Sequence, residues 1–279
     1  MDALAEPVMR TPFDAATLSD RVETRVGRLA RCLRGYRARF AENGEDIQAA
    51  LRLRYRVFCL ELNEGPEAAF ELGYETDEFD AICDHLLVEH VVTREVIGTY
   101  RLQTGKIAGR NSGYYSEREF DFSVYRGLRD WMLELGRACI HPEHRSFTVL
   151  SLLWSGIAAY ARERNVRYLV GCSSLTSQST VEGWHVYRQL QPYLAESHLR
   201  TSPLPSFRLP ERGDRFPNTS VRPPKLLRAY LSIGARICAE PAIDHEFKSI
   251  DFLTLLDLKD LSSVVRARFL EGAEPGFGS

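Results

Sequence analysis

The chain has 279 residues, 44% of them hydrophobic and 27% charged, which is ordinary for a globular protein with a core of its own. That length allows one large domain or two small ones. A formal net charge of −2 provides no overall electrostatic footprint for nucleic acid.

Residues 1–15 read as an unanchored tail. Residues 16–34 read as a basic helix, with Arg21, Arg25, Arg28 and Arg31 at helical spacing and Leu18, Val22, Val26 and Leu29 between them. That face is either solvated or leans on anionic lipid headgroups or an acidic partner. Gly35 ends the helix. Tyr36, Ala38 and Phe40 alternate with Arg37 and Arg39 and predict a first strand. Asn43-Gly44 turns the chain into a helix over 46–60, with Ile47, Leu51, Tyr55 and Phe58 on one stripe. Residues 61–80 are acidic and carry Gly65-Pro66 and Gly73, so they predict a loop. Strands over 85–92 and 96–103 make a hairpin turned by Thr93-Arg94-Glu95.

Residues 105–128 are polar, with four glycines, at 105, 109, 113 and 127, and several arginines. A strand over 131–140 follows, then a loop at His141–Arg145, a helix with a continuous apolar face over 149–164, a buried strand over 168–175 and a short helix over 181–190. Prolines at 203, 205, 210, 217, 223 and 224 make 199–224 an extended loop. Residues 226–239 look helical, 250–256 strand-like and 261–269 helical. The order of elements predicts a mixed α/β (α+β) sheet. The chain divides into a tail and basic helix (1–34), a core (35–198) and an extension that completes the same domain (199–279).

Six cysteines, at 32, 59, 83, 139, 172 and 238, are scattered without metal spacing, which implies reduced thiols and no metal site. No apolar run reaches transmembrane length, and the N-terminus lacks the apolar core of a secretory signal. The expected location is the cytoplasm, with peripheral contact at the membrane surface open to the basic helix.

Four blocks write charges into core-forming segments: Arg54-x-x-Val57-Phe58, Glu75-x-Asp77-x-Phe79-Asp80, Gly98-x-x-Arg101 and Glu134-x-x-Arg137. Buried charges are costly unless they are paired or used, so the blocks point to a polar cleft and an enzyme. Glu134, in the apolar run Trp131-Met132-Leu133-Glu134-Leu135, is the candidate base, because burial raises a carboxyl pKa. Glu134 and Arg137 stand three apart on a strand and face opposite ways, which argues against a direct pair; a β-bulge beside them would change that facing.

In this order, with Cys83–Val88, Lys225–Tyr230 and Phe252–Leu258, the blocks resemble the GNAT acyltransferase superfamily over residues 35–270. The resemblance is to the branch that takes long-chain acyl groups from acyl carrier protein: ornithine N-acyltransferases, N-acyl amino acid synthases and, more distantly, N-acyl-homoserine-lactone synthases. It implies a GNAT-type mixed, mostly antiparallel central sheet flanked by helices. It also implies transfer of a long-chain, 3-hydroxylated acyl group to the α-amine of L-ornithine, giving lyso-ornithine lipid. Transfer to another amine and a non-catalytic, haemolysin-like membrane protein are the alternatives.

The expected catalytic residues are Glu134, Arg137 and Arg101; Arg54, Phe58, Glu75, Asp77 and Asp80 are expected to bind substrate, or the acids to pair with Arg54, Arg101 and Arg137. Arg110, Arg145, Arg162 and Arg164, with Arg118, Arg126, Arg129 and Arg167, suggest a patch for an acidic carrier protein. The loop Arg145–Leu150 has no glycine where coenzyme A-binding relatives carry Gly-x-Gly. That fits acyl-phosphopantetheine on acyl carrier protein as donor, with no tightly bound cofactor.

Overall fold

The computed structural model describes residues 31–210 and 221–266. Nine strands form one sheet: β1 (Arg31–Leu33), β2 (Tyr36–Phe40), β3 (Asp84–His90), β4 (Val96–Thr104), β5 (Met132–Ile140), β6 (Tyr168–Leu175), β7 (Arg236–Ile237), β8 (Ala242–Asp244) and β9 (Ser249–Asp257). The order is β1-β2-β3-β4-β5-β6-β9-β7, with β8 also on β9. Every pairing is antiparallel except β5 with β6. The mostly antiparallel sheet with flanking helices is the expected fold class.

The helices are α1 (Gly44–Arg54), α2 (Glu67–Leu72), α3 (Gly105–Arg110), α4 (Phe147–Glu163), α5 (Thr180–Leu190), α6 (Lys225–Ser232) and α7 (Ser263–Arg266). Asn43 caps α1, its side chain accepting from the Asp46 amide, so the expected turn is a helix start. Helix α4 lays Val149, Leu152, Leu153 and Ile157 on one sheet face against Leu86, Val88, Ile97 and Leu133. The other face is covered by Tyr114, Phe120, Phe122 and Tyr125.

Several expectations are corrected. Arg31–Leu33 is a strand, and Arg34-Gly35 turns a hairpin with both residues at positive φ, so Gly35 is not a helix cap; the rest of the expected basic helix lies outside the described residues. Helix α1 gives way at Tyr55 to a π-helical segment, Tyr55–Glu61. The 61–80 loop holds α2, closed by Gly73 in the left-handed conformation. Residues 105–128, polar in composition, carry α3 and two 3₁₀ turns, and their aromatics Tyr114, Phe120, Phe122 and Tyr125 are core. The expected helix over 226–239 stops at Ser232, and Gly234, at φ 108, turns the chain into β7. Residues 211–220 of the proline-rich loop and 267–269 of the last helix lie outside the described residues.

One feature of the sheet positions the site. β5 pairs with β6 only over Met132–Glu134 against Tyr168–Val170. β5 then continues along β4 and β6 along β9, so the sheet forks. Gly171 lets the strands meet at the fork: a Cβ there would sit 2.3 Å from the Leu135 carbonyl oxygen.

Candidate active site

Beside the fork, β5 carries a bulge. Thr99 pairs with Cys139 and Arg101 with Gly136, so three steps on β5 match two on β4, and Arg137 takes φ 51. With the bulge Glu134 and Arg137 both line one cavity and both meet Tyr115, but they bond to different partners. Glu134 turns to the segment Tyr115-Ser116, whose backbone amides donate to its two oxygens at 2.8 and 2.7 Å. Burial raises the Glu134 carboxyl above its ordinary value, with these bonds pulling the other way.

Arg137 turns to the acidic loop. Its guanidinium donates to Glu75 at 3.2 Å and Asp77 at 2.9 Å, between the rings of Tyr115 and Phe247 at 4.5 and 4.2 Å. Arg101 meets Asp77 and, at 2.9 Å, Asp80. Arg54 meets Asp80 and Glu75. Three guanidiniums and three carboxylates thus close a ring in which each group holds two of the opposite sign. Burial alone would raise Asp80, but Arg54 and Arg101 hold it well below the usual carboxylate range. Of the two readings the sequence allowed for Glu75, Asp77 and Asp80, the ring displays the salt-bridged one.

A cavity of about 320 Å³ passes through the fork. On the α4 face its wall is apolar: Trp154, Ile157, Ala158, Ala161, Leu169 and Leu256. Around the rest it carries Glu64, Glu134, Asp244 and Asp251 against one cation, Arg137. Glu64 follows the π-helical segment and is pushed up to about 7 by burial and by Asp251 and Asp244. Glu119 sits behind Cys172, and burial with the nearby Asp251 and Asp244 carries its carboxyl well above the usual range. Asp251 is also raised, first by burial.

Of the expected site residues, Phe58, Glu134 and Arg137 line this cavity, whereas Arg54, Arg101, Glu75, Asp77 and Asp80 stand behind it. The expected arginine patch is not one surface. Arg145 lies before α4 and Arg162 and Arg164 at its far end, about 25 Å away for a 17-residue helix. Arg118, Arg129 and Arg167 pair with Glu78, Glu117 and Asp257.

Glu64, Glu119, Asp244 and Asp251 were not singled out from the sequence. Glu64 and Glu119 looked like loop acids; the one available signal was Asp251, a lone acid in the apolar run Ile250–Leu256.

The sequence family described as Acetyltransferase (GNAT) domain matches residues 53–155, from the end of α1 into α4. The chain is 30% identical over 255 residues to the L-ornithine N(alpha)-acyltransferase of Rhodobacter capsulatus, covering 86% of this chain and 96% of that one. It is 32% identical over 246 residues to the L-ornithine N(alpha)-acyltransferase of Brucella abortus, covering 81% and 85%. Among solved structures, FeeM, an N-acyl amino acid synthase from uncultured soil microbes, superposes with a TM-score of 0.49 at 13% identity over 85% of this chain and 98% of that one, too loosely to bear on the chemistry.

Proposed function

The chain belongs to the L-ornithine N(alpha)-acyltransferase family of GNAT-type acyltransferases, and from that premise we propose that it moves a long-chain, 3-hydroxylated acyl group from the phosphopantetheine of acyl carrier protein to the α-amine of L-ornithine. The product is lyso-ornithine lipid. The observation that carries the reading is the forked-sheet cavity, apolar on one side for an acyl chain and acidic elsewhere for a cationic amine.

The thioester lies in the fork, its carbonyl oxygen toward the backbone of the Arg137 bulge, where an amide stabilises the developing oxyanion. Glu134, held by two backbone amides, takes a proton from the α-amine, directly or through one water. The amine nitrogen bonds to the acyl carbon, the carbon–sulfur bond breaks, and the departing thiolate regains a proton. Arg137 lines the site. Arg101, Arg54, Glu75, Asp77 and Asp80 position it through the ring, and Phe58 forms part of the wall.

The donor arm enters where the fork is open, toward Ile140. Arg145 stands there, its Nε donating to the Ile140 carbonyl. Arg110, Arg162 and Arg164 lie toward the closed end, so Arg145 is the docking arginine for an acidic carrier. No cofactor is retained between turnovers. No helix among the described residues is long and apolar enough to cross a membrane. The enzyme works in the cytoplasm and releases its amphiphilic product at the membrane surface.

The test is purified protein with ornithine and either 3-hydroxyhexadecanoyl-acyl carrier protein or the matching coenzyme A thioester, with free thiol and amide followed together. Amide from the carrier-protein donor, at higher kcat/KM than from coenzyme A, is expected. No amide of ornithine from either donor would overturn the proposal.

A further inference from the structure

Buried carboxylates normally find cations or donors. Here four of the five charged side chains on the cavity wall are acids, and the fifth, Arg137, is already shared by Glu75 and Asp77. At the wall, carboxylate oxygens of Asp251 and of Glu119 behind it lie with the sulfur of Cys172 within 4.8 Å of one another. Glu119 is 1% exposed and Asp251 3%. Glu119 Oε1 is buried and meets no hydrogen-bond donor, and Ser173 Oγ, on the cavity wall, is likewise buried without a partner. Two carboxyls this close cannot both stay ionised without a cation, and burial first, then the neighbouring acids, raises the proton affinity of both.

We propose that Glu119 and Asp251, with Glu64 across the cavity, form the pocket for the second, side-chain ammonium of a diamino-acid acceptor. The inference rests on the proposed function and adds what that reading leaves open: how a diamino acid is told from a neutral one.

Spacing supports the assignment. Glu134, the base for the α-amine, pairs with Val170, and Cys172 is two residues further along the same face of β6, about 6.6 Å away. Ser116 links the two positions: its amide donates to Glu134, and its hydroxyl lies 3.4 Å from the Cys172 sulfur. An extended three-methylene chain with a terminal nitrogen spans about that distance. An ammonium brings three donors and a positive charge to Glu119 Oε1, which meets no donor, and to the Asp251 carboxyl, which accepts from Ser249 Oγ at 3.4 Å. A neutral side chain would leave the two acids sharing a proton with each other instead of meeting a cation, so discrimination against it comes from the buried acids themselves.

The experiment compares ornithine with norvaline, the same chain without its ammonium, in wild type, Glu119→Gln and Asp251→Asn. Within each variant the ratio of kcat/KM for the two amines is independent of how much protein is folded. Wild type favours ornithine strongly. Each variant lowers that ratio roughly 10- to 100-fold, mainly through the KM for ornithine, as expected for a lost charge-assisted contact. Calorimetric binding of the two amines without donor reads the same pocket independently of turnover. Wild type that acylates no ornithine yet binds it over norvaline sinks the proposed reaction and leaves the pocket standing. Ratios within twofold of wild type in both variants would overturn the pocket. So would a stoichiometric divalent metal that is lost in Asp251→Asn while the ornithine preference stays intact.

Discussion

A carboxylate held between two backbone amides and one surrounded by other carboxylates titrate for different reasons, and the cavity contains both. Glu134 keeps its position because the Tyr115 and Ser116 amides fix both oxygens. Glu134→Gln keeps one acceptor oxygen but cannot take a proton. It is expected to cut kcat on the order of 10²–10³-fold and, because one backbone N–H loses its acceptor, to lower stability by about 1–3 kcal/mol while the protein stays folded, read by amide formation beside a melting curve. A full loss of folding would instead assign Glu134 to structure. Glu64 faces Asp244 and Asp251, with Thr176 as a hydrogen-bond partner, and binds its proton up to about pH 7, against an ordinary value of 4.5. A raised carboxyl contributes stability that is fully present below pH 4.5 and lost as the pH rises through 7. The melting temperature should therefore fall between pH 5 and 8, by the equivalent of about 2–3 kcal/mol from this group, and Glu64→Gln should flatten that fall. An unchanged slope in Glu64→Gln would place the titration elsewhere.

At the scale of elements, the ring of Arg54, Arg101, Arg137, Glu75, Asp77 and Asp80 ties the loop after α2 to α1, β4 and β5. Arg101→Met leaves Asp77 and Asp80 short of a buried cation and should cost about 3–5 kcal/mol, read by denaturant titration; a cost below about 1 kcal/mol would show that the ring does not hold the loop. This part of the site could be read in the sequence because charges inside apolar runs announce themselves. Glu134 among Trp131–Leu135 was picked out on that ground, and Arg101 and Arg137 in blocks that also carry the family resemblance. Strands with clean alternation, such as Tyr36–Phe40 and Tyr168–Leu175, were read to the residue. The misreadings share a physical cause. The expected basic helix ran past residue 31 because an arginine every three or four residues suits a helix face, while Arg31–Leu33 pairs with Tyr36–Ala38 through contacts no local pattern reveals. The π-helical turn at Tyr55–Glu61, which leads into Leu62 and Glu64 on the cavity wall, has no residue signature of its own.

Across the whole molecule, the carboxylates that matter most for the acceptor come from distant stretches: Glu64 after α1, Glu119 in the 105–130 segment, and Asp244 and Asp251 in β8 and β9. All but Asp251 look like solvated acids in their own neighbourhoods, and only the sheet order that puts β9 beside β6 gathers them. The extension after residue 198 is thus part of the site, because β9 completes the sheet on the far side of the fork. On the proposed function the carrier docks at the open end of the fork, where Arg145 stands, with the half-exposed Arg56 beside His141. Arg145, half exposed and paired with Glu61 at 2.6 Å, offers a charge to an acidic carrier. Arg145→Glu should lower kcat/KM for the carrier-protein donor several-fold at low salt, with the gap closing as salt rises. Equal loss at all ionic strengths would point to a local structural effect.

The central claim is an acyl transfer whose acceptor is chosen by charge. Its most direct test is one reaction containing wild-type protein, 3-hydroxyhexadecanoyl-acyl carrier protein and equimolar ornithine, lysine, norvaline and homoserine lactone, with every amide product measured by mass spectrometry. N-acyl-ornithine is expected as the dominant product. Dominant N-acyl-norvaline or N-acyl-homoserine lactone would contradict it.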